Sequence, residues 1–177
     1  MVTWLEIIDT SVKIGLGATI TAFATYWHSK LQYKAESAKE YEQRHRTLLE
    51  QVAEGVEELN HVYLKYASYI LDWTKYSSNG DSWPKNRDEQ FSEISNALFL
   101  AFRELTSAES KLLLIGENEA YKKIRELGTA ISNFRRDFKI HDTSITEEVV
   151  QKRREEIKKI REELFEILSS TYQTNFT

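Results

Sequence analysis

Residues 48–73 read LLEQVAEGVEELNHVYLKYASYILDW, with large apolar side chains recurring at steps of three and four. Such spacing places them on one face of an α-helix. The predicted stripe consists of Leu48, Val52, Val56, Leu59, Tyr63, Tyr66, Ile70 and Trp73. The helix can run from about residue 3 to residue 76, since that segment contains no proline. Strict alternation of apolar and polar residues is absent from the sequence, so an all-α fold is predicted.

Three further helices follow this first one. The loop SSNGDSWPKN at residues 77–86 ends the first helix, and Asn86 or Asp88 would cap the second. Gly116 is the expected stop of the second helix. The third carries the stripe Ala120, Ile124, Leu127, Ile131, Phe134 and Phe138. Short loops force neighbouring helices to run antiparallel, which predicts an up-down four-helix bundle with a very long first helix.

The fourth helix is expected to begin with a capping box, in which Ser144 stands three residues before Glu147. Its predicted stripe is Val149, Arg153, Ile157, Ile160, Leu164 and Ile167. We divide the chain into a transmembrane or anchor helix at 1–28, a polar helical stalk at 29–46, the bundle at 47–172 and a tail at 173–177.

Composition limits the classes of function. The chain has 177 residues, a net charge of −4 and no cysteine. Acidic and basic residues are interleaved, so there is no basic stripe of the kind that binds nucleic acid. The absence of cysteine excludes disulfides and thiolate metal sites.

The start of the first helix has the features of a single-pass membrane anchor. Residues 14–26, IGLGATITAFATY, carry no charge. From Trp4 to Trp27 a helix would span about 35 Å, close to the thickness of a hydrocarbon core with its interfaces. Basic residues cluster on the C-terminal side, which predicts that the N-terminus lies outside and the bundle in the cytoplasm. The predicted anchor residues are Trp4, Ile14, Leu16, Ile20, Phe23, Tyr26 and Trp27.

The same segment offers a surface for self-association. Gly17, Thr21 and Thr25 form a ridge of small side chains at four-residue spacing, which lets two helices approach closely in lipid. A homo-oligomer through the first helix is therefore expected, with the lipid bilayer and an unidentified protein as further partners.

Two other interpretations of this segment stay open. Leu16, Ile20, Phe23, Trp27 and Leu31 also form an amphipathic stripe that can pack on protein, as in a soluble cytoplasmic adaptor. Ala22-Phe23-Ala24 has the small-x-small form of a signal-peptide cleavage site, but the residues before it are acidic instead of basic.

No catalytic constellation or cofactor motif stands out. The four histidines lack the paired spacing of a helical zinc site, so we expect neither a metal nor a cofactor. The tyrosines Tyr69 and Tyr76 lie off the apolar stripe, and Trp83 lies in a loop ahead of Pro84. These three are the candidate contacts to a protein partner.

Residues 136–141, RDFKIH, place an arginine five positions before a histidine. The pattern resembles the motif of the HEPN superfamily of small all-α ribonucleases, in which the arginine and histidine of two subunits line a shared cleft. The resemblance covers six residues. It implies Arg136 as a phosphate-holding cation and His141 as a general acid or base. A HEPN-like ribonuclease or toxin is therefore the enzymatic alternative to a non-catalytic interaction protein.

Overall fold

The structure, a computed structural model, describes the helical backbone of residues 4–174 and the side chains of residues 25–30, 32–33 and 36–173. All regular secondary structure in this part of the chain is helical, which confirms the predicted all-α class. The helices are α1 (Trp4–Asn79), α2 (Lys85–Ile115), α3 (Asn118–Asp137) and α4 (Glu147–Thr174).

The chain divides into two compact units, Met1–Arg44 and His45–Thr177. In the first unit, every described side chain between residues 25 and 44 is exposed. Most residues from 29 to 44 are polar, whereas the aromatic side chains of Tyr26 and Trp27 are exposed as well. Of the predicted anchor and ridge residues, Thr25, Tyr26 and Trp27 have described side chains; the others lie outside the described side chains.

The hydrophobic core belongs to the second unit. Six of the eight predicted α1 stripe residues are buried there, namely Val52, Val56, Leu59, Tyr63, Tyr66 and Ile70. At the start of the stripe, Leu49 is buried, whereas Leu48 is only partly so. All six predicted apolar residues of α3, from Ala120 to Phe138, are buried. Helical periodicity therefore identified the core faces of α1 and α3.

The predicted face of α4 is confirmed at Ile157 and Leu164 and wrong at its two ends, where Val150 and Leu168 are buried in place of Val149 and Ile167. Val149 is 53% exposed and Val150 is fully buried. The core-facing residues are Val150, Ile157, Leu164 and Leu168. Adjacent positions on a helix point about 100° apart, so two neighbouring valines cannot indicate which of them faces inward. Packing against the other helices selects Val150.

The predicted capping box at the start of α4 is also wrong. The Ser144 hydroxyl and N–H both donate to the Asp142 carboxylate, at 2.6 and 2.9 Å. Thr146 is the capping residue instead, because its Oγ1 accepts the Val149 N–H at 3.4 Å. The Ser144 donors also hold the pKa of Asp142 below its ordinary value.

Helices that are neighbours in sequence pack against each other. Tyr66 of α1 packs on Phe91 near the start of α2, with ring centroids 5.0 Å apart. Gly128 of α3 approaches Leu105 of α2 so closely that an added Cβ would lie 2.5 Å from Leu105 Cδ2. The α2–α3 turn is closed by Gly116, whose φ of 80° confirms the predicted helix stop.

The fourth helix packs against the third and the first. Lys123 of α3 forms a salt bridge of 2.9 Å with Glu163 of α4. Arg161 of α4 pairs with Glu57 of α1, and the Tyr172 hydroxyl lies 3.2 Å from Glu50 Oε1. The fourth helix therefore contacts both α3 and α1.

Candidate functional site

His141 lies in the turn between α3 and α4 and has a left-handed backbone conformation, with φ at 69°. Non-glycine residues rarely adopt this region, although histidine is among the more tolerant. Its Nε2 lies 2.9 Å from Asp88 Oδ1 at the start of α2, and its ring packs edge-on against Trp73, with centroids 4.9 Å apart. A carboxylate on one ring nitrogen orients an imidazole, as in acid–base sites, but it equally anchors a turn.

Arg136, the other residue of the HEPN-like pattern, lies at the end of α3. Its side chain is 70% exposed, and its Nε donates to Asp137 at 3.0 Å. It contributes to the lining of a cleft that does not include His141. Arg136 and His141 are thus each engaged by a different carboxylate.

The predicted partner contacts Tyr76 and Trp83 form an aromatic cluster with Trp73 and His141. Trp83 packs edge-on against both Trp73 and Tyr76, with centroids 5.6 and 5.3 Å apart. Its Nε1–H donates to Asp88 Oδ1 at 3.0 Å, the oxygen that His141 also meets. The loop tryptophan therefore packs on the end of α1.

Tyr69 lies beside this cluster. Its ring packs against Phe91, with centroids 6.2 Å apart, and Arg87 lies 5.5 Å above it. Arg87 also forms a 2.5 Å salt bridge with Asp72. The three predicted contact residues thus have contacts within the chain, and their partly exposed surfaces remain the predicted contact sites.

A separate cleft of about 540 Å³, here called the α2–α3 cleft, lies at the C-terminal end of α3. Its lining consists of Tyr66, Phe91, Ser95, Ser132, Arg135, Arg136, Lys139 and Ile140. Sequence reasoning singled out only Arg136 from this set as a possible site residue. The cluster of cations at 135, 136 and 139 is visible in the sequence, but the residues that face it come from α1 and α2.

Two buried tyrosines of α1 have different environments. The Tyr66 hydroxyl donates to the Phe138 carbonyl at 2.8 Å, next to the α2–α3 cleft. Burial raises the pKa of Tyr66 to about 12, against the opposing effect of the Arg135 cation. Burial also raises the pKa of Tyr63, whose hydroxyl has no hydrogen-bond partner in the described part of the chain.

Two searches bear on the other predicted sites. Among the described residues there is no group of three or more histidine, aspartate or glutamate side chains arranged to hold a metal ion. Over the same residues, no helical stretch is long and apolar enough to cross a bilayer.

Comparison of the chain with protein-family models, with curated proteins and with solved structures found no match.

Proposed function

We propose that this chain is a membrane-anchored, cytosol-facing helical-bundle protein that acts by protein–protein interaction or self-association and not by catalysis. Its four helices would form an up-down antiparallel four-helix bundle, and the contacts of α1 with α2, of α2 with α3, and of α4 with α3 and α1 support this arrangement. The observation that favours an interaction role is the apolar surface of α2. There Phe99, Leu100, Leu113 and Leu114 are 66, 68, 51 and 78% exposed.

Phe99 and Leu100 form one exposed apolar pair, and Leu113 and Leu114 form a second pair fourteen residues further along α2, about 21 Å at 1.5 Å per residue. Exposed polar or charged residues lie between the two pairs, namely Arg103, Thr106 and Ser110. Each pair is an exposed apolar site that a partner can cover.

The free energy gained by burying these four side chains indicates why a membrane tether would strengthen association. Burying one leucine or phenylalanine side chain contributes about 1.5–3 kcal/mol, and part of that is already gained in the folded chain. Association costs on the order of 4–15 kcal/mol in lost translational and rotational freedom. Four side chains therefore support only weak association in solution. Confinement of both partners to one membrane raises their effective concentration without new contacts.

The anchor itself is supported by sequence. Trp4 and Trp27 flank the uncharged run at residues 14–26, and lysines and arginines follow it. Alkaline extraction of membranes tests the anchor by comparing the full chain with a chain that begins at Ser29. We expect the full chain to pellet with the membranes and the shortened chain to remain in the supernatant. Recovery of both chains in the supernatant would refute the anchor and favour the soluble adaptor.

Self-association is proposed to use the ridge Gly17, Thr21 and Thr25. Replacing Gly17 and Thr21 with leucine should separate the helices and lower the oligomer size in mild detergent. Replacing Leu16 with isoleucine, off the ridge, is the matched control. An oligomer of unchanged size in the ridge variant would argue against this surface.

The enzymatic alternative, a HEPN-like ribonuclease or toxin using Arg136 and His141, has one supporting observation. The strained backbone at His141 and its contact with Asp88 resemble the held imidazole of an acid–base site. The enzymatic alternative requires that the wild-type chain cleaves RNA or is toxic, and that His141→Ala abolishes the cleavage or the toxicity. A wild-type chain with neither property would exclude it.

A further inference from the structure

The charge of the α2–α3 cleft points to an anionic ligand. Its lining contains three cationic side chains, Arg135, Arg136 and Lys139, and no carboxylate. Arg136 is partly neutralised by Asp137 at 3.0 Å. Among the described residues, Arg135 and Lys139 form no salt bridge.

Arg135 is the best-positioned of the three. It is half-buried, and its Nε lies below the surface without a hydrogen-bond partner in the described part of the chain. Its guanidinium lies over the Phe99 ring at 5.9 Å, which restricts its orientation. Because Nε is buried, the terminal nitrogens of this planar guanidinium are the donors that an anion in the cleft would meet, and such a group pairs well with phosphate oxygens.

Complementing a helix dipole does not account for this much charge. The C-terminus of α3 carries about half an elementary negative charge. That end is also hydrogen-bonded, since the Phe138 N–H donates to the Phe134 carbonyl at 2.9 Å. With Arg136 largely paired, Arg135 and Lys139 still leave the cleft net positive.

The rest of the lining indicates what accompanies the anion. The hydroxyls of Ser95 and Ser132 supply further donors, while Phe91 and Ile140 are apolar. A volume of about 540 Å³ lies within the range of small-ligand pockets and exceeds that of an inorganic ion.

We propose that the α2–α3 cleft binds a phosphate monoester. Arg135 and Lys139 hold the phosphate, the two serines complete its hydrogen bonds, and Phe91 and Ile140 contact the organic group. The ester can be a free small molecule or the headgroup of a phosphatidic acid. Binding in this cleft does not require the first helix to enter a membrane, so it can hold or fail independently of the anchor.

Calorimetric titration of the full chain with two esters tests the site and separates the two sources. Phenyl phosphate represents a free ester, and dihexanoyl phosphatidic acid below its micellar concentration represents a lipid headgroup. Phenol and dihexanoyl phosphatidylcholine are the corresponding compounds without a phosphate monoester. We expect at least one ester to bind with a dissociation constant of about 1 mM or lower. The corresponding compound without the phosphate monoester should bind at least tenfold more weakly. The tighter ester identifies the source.

Substitutions assign the binding to the cleft. Arg135→Gln and Lys139→Gln should each lower the affinity for the ester by about tenfold or more, because each removes a charged donor. Lys139 is exposed, so its variant tests the site even where Arg135→Gln disturbs packing. Lys152→Gln removes the same charge from an exposed position on α4 and should change affinity less than twofold. The site is refuted by absence of ester binding, by equal binding of the counterparts, or by equal loss in Lys152→Gln and Lys139→Gln.

Discussion

Removal of a single hydroxyl should have opposite effects on stability at Tyr63 and Tyr66. Both side chains are 2% exposed, and both rings pack against Phe134, with centroids 5.2 and 6.3 Å away. The Tyr66 hydroxyl donates to the Phe138 carbonyl, whereas the Tyr63 hydroxyl has no partner in the described part of the chain. Phenylalanine preserves each ring contact and removes only the oxygen.

The magnitudes follow from these environments. Tyr66→Phe deletes the hydroxyl that donates to the Phe138 carbonyl at 2.8 Å and also lies 3.4 Å from the Arg135 carbonyl. The free energy of unfolding should therefore fall by about 1–2 kcal/mol. Tyr63→Phe removes a buried hydroxyl that no hydrogen bond compensates, a group whose burial costs about 1–3 kcal/mol. We expect the free energy of unfolding to rise by about 1 kcal/mol.

Urea unfolding of the full chain and its variants measures both effects under identical conditions. A change in midpoint at constant slope reports stability, and 1 kcal/mol corresponds to roughly 0.3–1 M urea. Tyr69→Phe is the control, since its hydroxyl makes a 3.3 Å exposed contact to Gln90, and it should change stability by less than about 0.5 kcal/mol. A Tyr63→Phe variant destabilised as much as Tyr66→Phe would refute the reasoning.

Two further predictions concern the core. The pKa of Tyr66 in the folded chain, about 12, lies above its ordinary value of 10.0. The contribution of the neutral Tyr66 side chain to the free energy of unfolding is therefore present below pH 10 and is lost as the pH rises from 10 through 12. Between pH 10 and pH 12 the free energy of unfolding of the wild-type chain should therefore fall by about 2 kcal/mol more than that of Tyr66→Phe, as measured by urea unfolding at a series of pH values; equal losses would contradict the pKa. Gly128→Ala should destabilise by about 1–2 kcal/mol, because its methyl group would overlap Leu105 Cδ2 and overpacking outweighs the gain in helix propensity. In a Leu105→Ala background the same change should be neutral or stabilising in urea unfolding, and an unchanged penalty there would show that the contact is not its cause.

Local periodicity predicted much of the fold. The core faces of α1 and α3 were recognisable because their apolar residues recur without competing neighbours. The stop of α2 was recognisable because helices often end in a left-handed residue, here Gly116 with a φ of 80°, and glycine is the residue that adopts this conformation most easily. The choice between Val149 and Val150 on α4 was not recognisable. Either valine is compatible with a helical stripe, and only the packed neighbours distinguish them.

The candidate sites divide in the same way. Arg135, Arg136, Lys139 and His141 lie within seven residues of one another, so the sequence shows them together. The sequence does not show which side chains contact them. Asp88, which meets His141, lies 53 residues earlier in the chain, and Ser95 and Phe91 of the cleft come from a different helix.

The sequence by itself determined the all-α class, the stop of α2 at Gly116 and the apolar faces of α1 and α3, because hydrogen bonding and side-chain spacing within a helix are local properties. It also carries the uncharged run and flanking tryptophans on which the proposed anchor depends. Tertiary structure alone decided that Val150 and not Val149 of α4 is buried, which cations remain unpaired, and which hydroxyls find an acceptor. Those outcomes depend on side chains far apart in the chain, and only packing determines which of them meet.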